Sequence, residues 1–335
     1  MINVLIVGAS GYVGAELTLY LSKHFGIKTI NLAVSKNSKD ANIKINKIHN
    51  KLKNIVDLTL TPLDDPSEIA KKIDVVFLAT DHKVSHELVP VFLLHKCVVF
   101  DLSGSFRMKN IEVYHKYYTF SHKYPSLLND AIYGLAEFIN FNEIKKKNLI
   151  AVPGCYPTAV QIGLKPLILS NAIDLNYKPI VNAISGISGS GRVPSLNNSY
   201  CEVGLKPYKL FHHRHQPEIE EHLGIPIVFN PHIGNFSRGI IATITCRLKN
   251  FFKKEEIQAI YSKYYSKKPL VRLYNHDIPN LNAVIGFPFC DIGYAIQKEY
   301  IVIVVTEDNL LKGAASQAIQ CFNIKFRYPE CTSLL

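Results

Sequence analysis

The first fourteen residues constrain the fold more than any other stretch. Ile2-Asn3-Val4-Leu5-Ile6-Val7 is an apolar run of strand character, broken at once by Gly8-Ala9-Ser10-Gly11-Tyr12-Val13-Gly14. Beyond it, Leu17 and Leu21 recur at helical spacing. Glycines at a strand-to-helix junction permit a tight turn, and the unpaired N–H groups of the helix start can receive a pyrophosphate. A glycine trio is weak evidence alone and stronger between the first strand and first helix of a chain. Gly8, Ser10, Gly11, Tyr12, Val13 and Gly14 are therefore candidate contacts to a dinucleotide, the bland alternative being a tight turn and nothing more.

The same alternation continues through the first half. Strand-like runs at 2–7, 29–34, 74–79, 97–102 and 149–152 are interleaved with helical patterns near 12–24, 66–72 and 83–95, which predicts a parallel α/β sheet of Rossmann type. Runs at 180–184, 240–248, 283–288 and 300–306, with a helix near 254–266, predict a mixed α+β second domain. A last helical pattern runs from Asn309 to about Asn323, with Asp308 placed to cap it. The expected division is 1–154 plus 309–335 for the dinucleotide domain and 155–308 for a catalytic and oligomerisation domain.

At 335 residues and 47% hydrophobic composition the chain can bury two cores. No apolar segment is long enough to span a membrane, and Met1 leads straight into a core strand rather than a signal sequence, so a cytoplasmic protein is expected. Seven scattered cysteines show neither paired metal spacing nor a disulfide framework. The formal net charge of +11 is spread over several lysine clusters with no recognised nucleic-acid motif, which argues against nucleic acid and suits steering of an anionic small molecule.

Chemistry concentrates at Pro153-Gly154-Cys155-Tyr156-Pro157-Thr158, where a strand-like run ends and a helical pattern begins. Amides and the positive dipole at a helix start stabilise an anion, so Cys155 is a candidate nucleophile rather than a small buried hydrophobe. His212-His213-Arg214-His215-Gln216-Pro217-Glu218 gathers bases and an anion binder. A histidine there can take and return a proton, with Glu218 fixing its tautomer. Zinc is the rival reading, but three or four ligands are needed and no cysteine pair lies nearby, so no metal is expected.

Three further segments end in ligand-binding chemistry. Ser185-Gly186-Ile187-Ser188-Gly189-Ser190-Gly191-Arg192 can close over a cofactor through Gly186 and Gly189 and clamp an anion through Arg192. Asp101-Leu102-Ser103-Gly104-Ser105-Phe106-Arg107 brings Ser103 and Arg107 out at the carboxyl edge of a strand, where open α/β sheets bind ligands. Val34-Ser35-Lys36-Asn37-Ser38 supplies a hydroxyl and an ammonium where NAD-selective folds place a carboxylate. Ser35 and Lys36 therefore favour NADP.

These blocks, taken in order with Asp308-Asn309-Leu310-Leu311-Lys312-Gly313-Ala314-Ala315, resemble the N-acetyl-γ-glutamyl-phosphate reductase family nearly end to end. The resemblance implies arginine biosynthesis, NADPH, an acyl-phosphate substrate, a two-domain fold like that of aspartate-semialdehyde dehydrogenase, and a homo-oligomer, dimer or tetramer. It further implies Cys155 as nucleophile and His215 as acid/base, with His213 the fallback because local sequence does not rank the two. Ser103, Arg107, Arg192, Glu202, His213 and Arg214 become candidate substrate contacts, and Asn309 a contact near the nicotinamide. A cysteine hydrolase would have no use for the 8–14 loop. A nucleotide sensor would bind NADPH and leave Cys155 unreactive.

Overall fold

A computed structural model describes residues 1–275 and 277–335, which divide into two compact units, Met1–Gly154 with Ala314–Leu335 and Cys155–Gly313. The first unit holds a seven-stranded parallel sheet made of β1 (Ile2–Val7), β2 (Ile27–Ser35), β3 (Leu60–Leu63), β4 (Val75–Leu78), β5 (Val98–Asp101), β6 (Ile132–Tyr133) and β7 (Leu149–Ala151). The spatial order is β3-β2-β1-β4-β5-β7-β6. Strand order therefore reverses between β1 and β4, and the crevice at such a reversal is where doubly wound sheets take their ligands. Val4, Leu5, Ile6, Val75, Val76 and Phe77 are wholly buried, which is why these strands read as unbroken apolar runs rather than alternating ones.

The C-terminal helix, Ser316–Phe326, belongs to this unit. Phe322 lies 6.0 Å from Phe77 and 6.1 Å from Phe100, while Phe77 and Phe100 stack at 4.9 Å across neighbouring strands. Polar partners fix its register. The Cys321 thiol donates to Gly134 O at 3.1 Å, and Lys325 Nζ donates to Ile144 O at 3.0 Å and Lys147 O at 2.7 Å. The sequence pattern placed this helix from Asn309 onward. A wider π-turn at Leu311–Ala315 instead precedes it, so the regular helix begins later and runs to Phe326.

The second unit is a mixed seven-stranded sheet of β8 (Ile180–Gly186), β9 (Lys206–Pro207), β10 (Val228–Gly234), β11 (Ile240–Arg247), β12 (Val271–Tyr274), β13 (Cys290–Gln297) and β14 (Tyr300–Glu307). Its order is β12-β13-β14-β11-β8-β10-β9. The expected strand at 283–288 is absent: a 3₁₀ turn at Leu281–Ala283 and Gly286 at φ +81° turn the chain, and pairing resumes at Cys290. β10 was not anticipated, because Asn230, Pro231 and His232 interrupt its apolar character.

Helix Cys155–Leu169 packs on β11 and β14. The absence of a side chain at Gly163 permits the contact, since a methyl there would lie 2.8 Å from Val305 Cγ2 and 3.2 Å from Ile244 Cδ1. Pro166 lacks the N–H that Ile162 O would normally receive. Helix Lys254–Tyr265 repairs the gap: Tyr265 donates its hydroxyl to Ile162 O at 2.6 Å and Tyr261 to Gly163 O at 2.8 Å. One phenol thus satisfies the carbonyl that the proline orphans in an apolar core, and a second bonds the carbonyl beside it.

In the first unit a histidine pair supports the 103–107 loop. His122 Nε2 bonds Ser105 O at 2.9 Å, His122 Nδ1 accepts from Tyr124 N, and the His86 ring lies 4.6 Å away. Burial, then the His86 charge, push the His122 imidazole down to about 4; burial also lowers His86. His122 therefore stays neutral in the fold at pH values where an unfolded chain protonates near 6.5, so its contribution to stability is full above pH 6.5 and is lost as pH falls toward 4. Histidine-selective NMR should show the His122 ring untitrated down to about pH 5; an ordinary midpoint near 6.5 in the folded protein would refute this.

Candidate active site

In the first unit the predicted dinucleotide residues meet at the carboxyl edge of the parallel sheet. Gly8 follows β1 with φ +79°, and a methyl on it would stand 2.3 Å from Ala79 O at the end of β4. On Gly14 a methyl would stand 2.5 Å from Gly8 O. The turn closes only with bare backbone at both positions. Helix Tyr12–Leu21 then starts at Gly11, with no side-chain cap and no acidic residue in its first turn. Its first helical bond is Ala15 N to Gly11 O at 3.0 Å, so the amides before it are presented to an anion. Ser10 and Val13 flank this opening half-buried, and Tyr12 is exposed at its mouth. This cradle fits a pyrophosphate.

Ser35 is the last residue of β2 and Lys36 the next; both are exposed, and Lys36 Nζ lies 3.8 Å from Asp64. The hydroxyl and ammonium expected for a 2′-phosphate thus stand at the same edge as the glycine turn. Ser103 and Arg107 leave β5 there as well. Asp101 Oδ1 accepts from Ser103 N at 2.9 Å and Oδ2 from Ser103 Oγ at 3.0 Å. Burial raises the Asp101 carboxyl, opposed by the Ser103 bonds and the Arg107 charge. Arg107 Nε donates to Val152 O at 2.7 Å and Nη2 to Leu102 O at 2.8 Å. Its guanidinium therefore ties the 102–107 loop to the backbone just ahead of Pro153.

In the second unit Cys155 is the first residue of its helix and is half-buried. His215 is the first residue of helix His215–Leu223, which packs against the cysteine helix. Tyr156, next to the cysteine, has its ring 5.9 Å from His215 and 5.7 Å from His213. The two histidines differ in how they are held. His213 Nδ1 accepts from His215 N at 3.1 Å and Nε2 bonds the Tyr208 hydroxyl at 3.2 Å. Burial, with the charges of Arg214 and Lys209, pushes this imidazole down to about 3. Arg214 and Glu202 are exposed and Arg192 is half-buried.

The glycine loop is less open than its sequence suggests. Gly186 ends β8, and Gly186 N, Ile187 N and Ser188 N donate to Gly239 O, Phe236 O and Ser237 O at 2.9 to 3.0 Å. Asn309 locks this arrangement: its Oδ1 accepts from Gly239 N at 2.6 Å and its Nδ2 donates to Ser188 Oγ at 3.0 Å. Gly189 remains exposed on the loop crest.

Sequence reasoning missed the groups behind the cysteine. Asp308 was read as a helix cap, and its Oδ1 does accept from Leu310 N at 2.9 Å and Leu311 N at 3.3 Å. The same buried carboxylate also accepts from Gly286 N at 2.8 Å and from Arg238 Nη2 at 3.0 Å, and forms an ion pair with the guanidinium, whose Nε lies 2.9 Å from Oδ2. Gly313 then passes so close to Cys155 that a methyl on it would sit 2.8 Å from Cys155 Cβ and 2.9 Å from Oε1 of the buried Glu307. The Lys312-Gly313-Ala314-Ala315 motif carried a signal for this close approach.

Comparison with known proteins agrees with this layout. The semialdehyde dehydrogenase NAD binding domain matches residues 3–147, and the semialdehyde dehydrogenase dimerisation domain matches residues 155–309. Over 335 residues, all of both chains, the sequence is 56% identical to the N-acetyl-gamma-glutamyl-phosphate reductase of Escherichia coli (strain K12). The chain belongs to the N-acetyl-gamma-glutamyl-phosphate reductase family. The reductase of Pectobacterium carotovorum subsp. carotovorum (strain PC1) is 53% identical, again over the full length of both. Among solved structures, aspartate semialdehyde dehydrogenase II of Vibrio cholerae matches with a TM-score of 0.73 at 17% identity, over 98% of each chain. The Candida albicans aspartate semialdehyde dehydrogenase, solved with NADP, matches at 0.67 and 17%, over 97% of this chain and 98% of that one. These structural likenesses show the shared fold.

Gly8 carries the sharpest expectation for the family's cofactor cradle. Gly8→Ala must hold a side chain at φ +79° against the Ala79 carbonyl. The turn should open and NADPH affinity fall at least about tenfold, read by fluorescence titration, while circular dichroism stays native. An unchanged dissociation constant would show that the loop does not hold the pyrophosphate.

Proposed function

We propose that this chain reduces N-acetyl-γ-glutamyl phosphate to N-acetylglutamate 5-semialdehyde and phosphate, with NADPH as reductant, in arginine biosynthesis. The observation that carries the reading is a cysteine at the start of one helix and a histidine at the start of a helix packed against it, in a chain of this reductase family. A helix start lowers the cost of a thiolate. Cys155 sulfur attacks the acyl carbon, the carbon–oxygen bond to phosphate breaks, and a thioester remains on the enzyme. When bound, NADPH supplies a hydride. Breaking the carbon–sulfur bond of the resulting thiohemiacetal releases the aldehyde and regenerates the thiolate.

His215 is assigned the proton transfers, taking the thiol proton and returning one where an alkoxide develops. Support comes from its neighbour: both nitrogens of His213 are already hydrogen-bonded within the protein. Gly8, Ser10, Gly11, Tyr12, Val13 and Gly14 would hold the pyrophosphate, Ser35 and Lys36 the 2′-phosphate, and Gly186, Gly189 and Asn309 the nicotinamide end. Ser103, Arg107, Arg192, Glu202 and Arg214 are assigned to the acyl phosphate and its carboxylate, Ser103 and Arg107 chiefly by shaping their loop.

The enzyme is proposed to act in the cytoplasm as a homo-oligomer. None of the seven cysteines is joined in a disulfide, which suits a reducing compartment. No helix among the described residues is long and apolar enough to cross a membrane. The mixed sheet turns Ile240, Ala242, Ile244 and Cys246 inward, leaving Ile241, Thr243 and Thr245 on the other face beside Ile184 and Val302. That face, within a region matching a dimerisation domain, is proposed as the contact between copies. Thr243→Arg should lower the mass measured by sedimentation; an undisturbed oligomer would place the contact elsewhere.

The decisive assay follows NADP⁺ reduction with N-acetylglutamate semialdehyde and phosphate, beside aspartate semialdehyde. Preference for the second aldehyde would overturn the substrate assignment. Cys155→Ser should bind NADPH normally and lose turnover, because a hydroxyl is a far weaker nucleophile at neutral pH. His215→Asn should lower turnover by about 10²–10⁴-fold with little change in cofactor affinity.

A further inference from the structure

We infer that His213 and Tyr208 are positioning residues: a hydrogen-bond chain from the Tyr208 hydroxyl through the His213 ring to the His215 amide holds His215 in place, and His213 itself neither transfers the proton nor binds the substrate. The inference rests on the assignment of proton transfer to His215.

The chain can be followed proton by proton. A backbone N–H only donates, so His213 Nδ1, 3.1 Å from His215 N, must be bare. The neutral ring then carries its proton on Nε2, where it meets the Tyr208 hydroxyl oxygen at 3.2 Å. The adjacent Tyr156 hydroxyl is anchored separately, donating to His232 O on β10 at 2.7 Å. Only one tautomer of His213 satisfies both of its bonds.

The ring is also boxed. Tyr208 lies 5.3 Å from His213, Phe229 5.5 Å, Tyr156 5.7 Å and His215 4.8 Å, so aromatic faces occupy the space a ligand would need. Burial holding this imidazole neutral agrees with the bare Nδ1. Tyr208 is itself anchored by backbone: β9 pairs with β10, and Tyr208 N donates to Pro231 O at 3.0 Å. The chain then turns back through Lys209 at φ 48° and Phe211 at φ 60°, which delivers His213 beneath the Tyr208 hydroxyl.

What the chain secures is a helix start. The residue before His215, Arg214, offers no side-chain cap. The His213 ring performs that service from one position further out, satisfying the His215 amide and setting where its imidazole leaves the backbone. Cys155 lies near enough for its charge to bear on both phenols, which, with burial as the larger cause, pushes Tyr208 up to about 12. Both phenols therefore stay protonated, and Tyr208 serves as a fixed partner for the His213 ring.

The test compares His213→Asn, His213→Gln, His213→Ala, Tyr208→Phe and His215→Asn for kcat and KM in the aldehyde assay. Asn places an acceptor where Nδ1 stands, whereas Gln reaches toward Nε2. His213→Asn should keep most of the turnover. His213→Gln, His213→Ala and Tyr208→Phe should lose about tenfold or more in kcat, with KM for the aldehyde nearly unchanged. His213→Asn falling as far as His213→Ala, or a loss expressed mainly in KM, would overturn the positioning role. Full turnover in His215→Asn would instead remove the acid/base assignment on which it rests. Nitrogen-15 NMR of the wild-type ring gives a reading that needs no variant: the Nε2–H tautomer is expected, and the Nδ1–H tautomer would refute the chain.

Discussion

One buried carboxylate organises the loops behind the cysteine. Asp308 lies at the end of β14 with no exposed surface, and it draws in the Arg238 guanidinium, the Gly286 amide and the first amides of its own turn. A buried charge is tolerated only when its lone pairs are filled, and removing one member of such a pair typically costs about 3–5 kcal/mol. The loop at 236–239, the turn at 286 and the turn at 308–313 are thereby held in one arrangement. Asn309 extends it to Ser188, and Gly313 is brought against Cys155.

The cysteine's surroundings follow from that arrangement. A π-turn at Leu311–Ala315 is an unusual place for the backbone to widen, and such turns concentrate at functional sites. Here Gly313 N donates to Asp308 O at 3.0 Å, five residues back, and the bare Cα fits between Cys155 and the Glu307 carboxyl. Pro166 further along the cysteine helix disturbs its hydrogen bonding, yet Tyr261 and Tyr265 absorb the disturbance far from the first turn. The helix start that favours an anionic sulfur is thus supported on both sides by groups outside its own sequence neighbourhood.

Much of the fold was legible because its signals are local. The runs at 2–7, 74–79, 97–102 and 149–152 announce central parallel strands, since strands covered on both faces lose alternation. Glycine spacing after β1 announces a turn without side chains. The run at 283–288 misled because its apolar residues sit around Gly286 in a turn, and β10 was hidden by Pro231 and two polar neighbours that lie in a ladder all the same. In the site, Cys155 and the glycine loops declared themselves, whereas the approach of Gly313 to Cys155 joins residues far apart in sequence.

The sequence by itself determined the residue types and local turns: a thiol at a helix start, bare backbone at Gly8 and Gly14, two imidazoles one residue apart. Period, chain direction and the absence of a Cβ act within a few residues, so they can be read without the fold. Only the tertiary structure decided which partners side chains of the same chemical type meet. His213 and His215 are alike in sequence, but one has Tyr208, Tyr156 and Phe229 around it. Arg107 and Asn309 spend donors on backbone carbonyls or a loop hydroxyl, partners that folding alone supplies. Hydrogen-bond geometry depends on atoms brought together from far along the chain, and no local pattern encodes it.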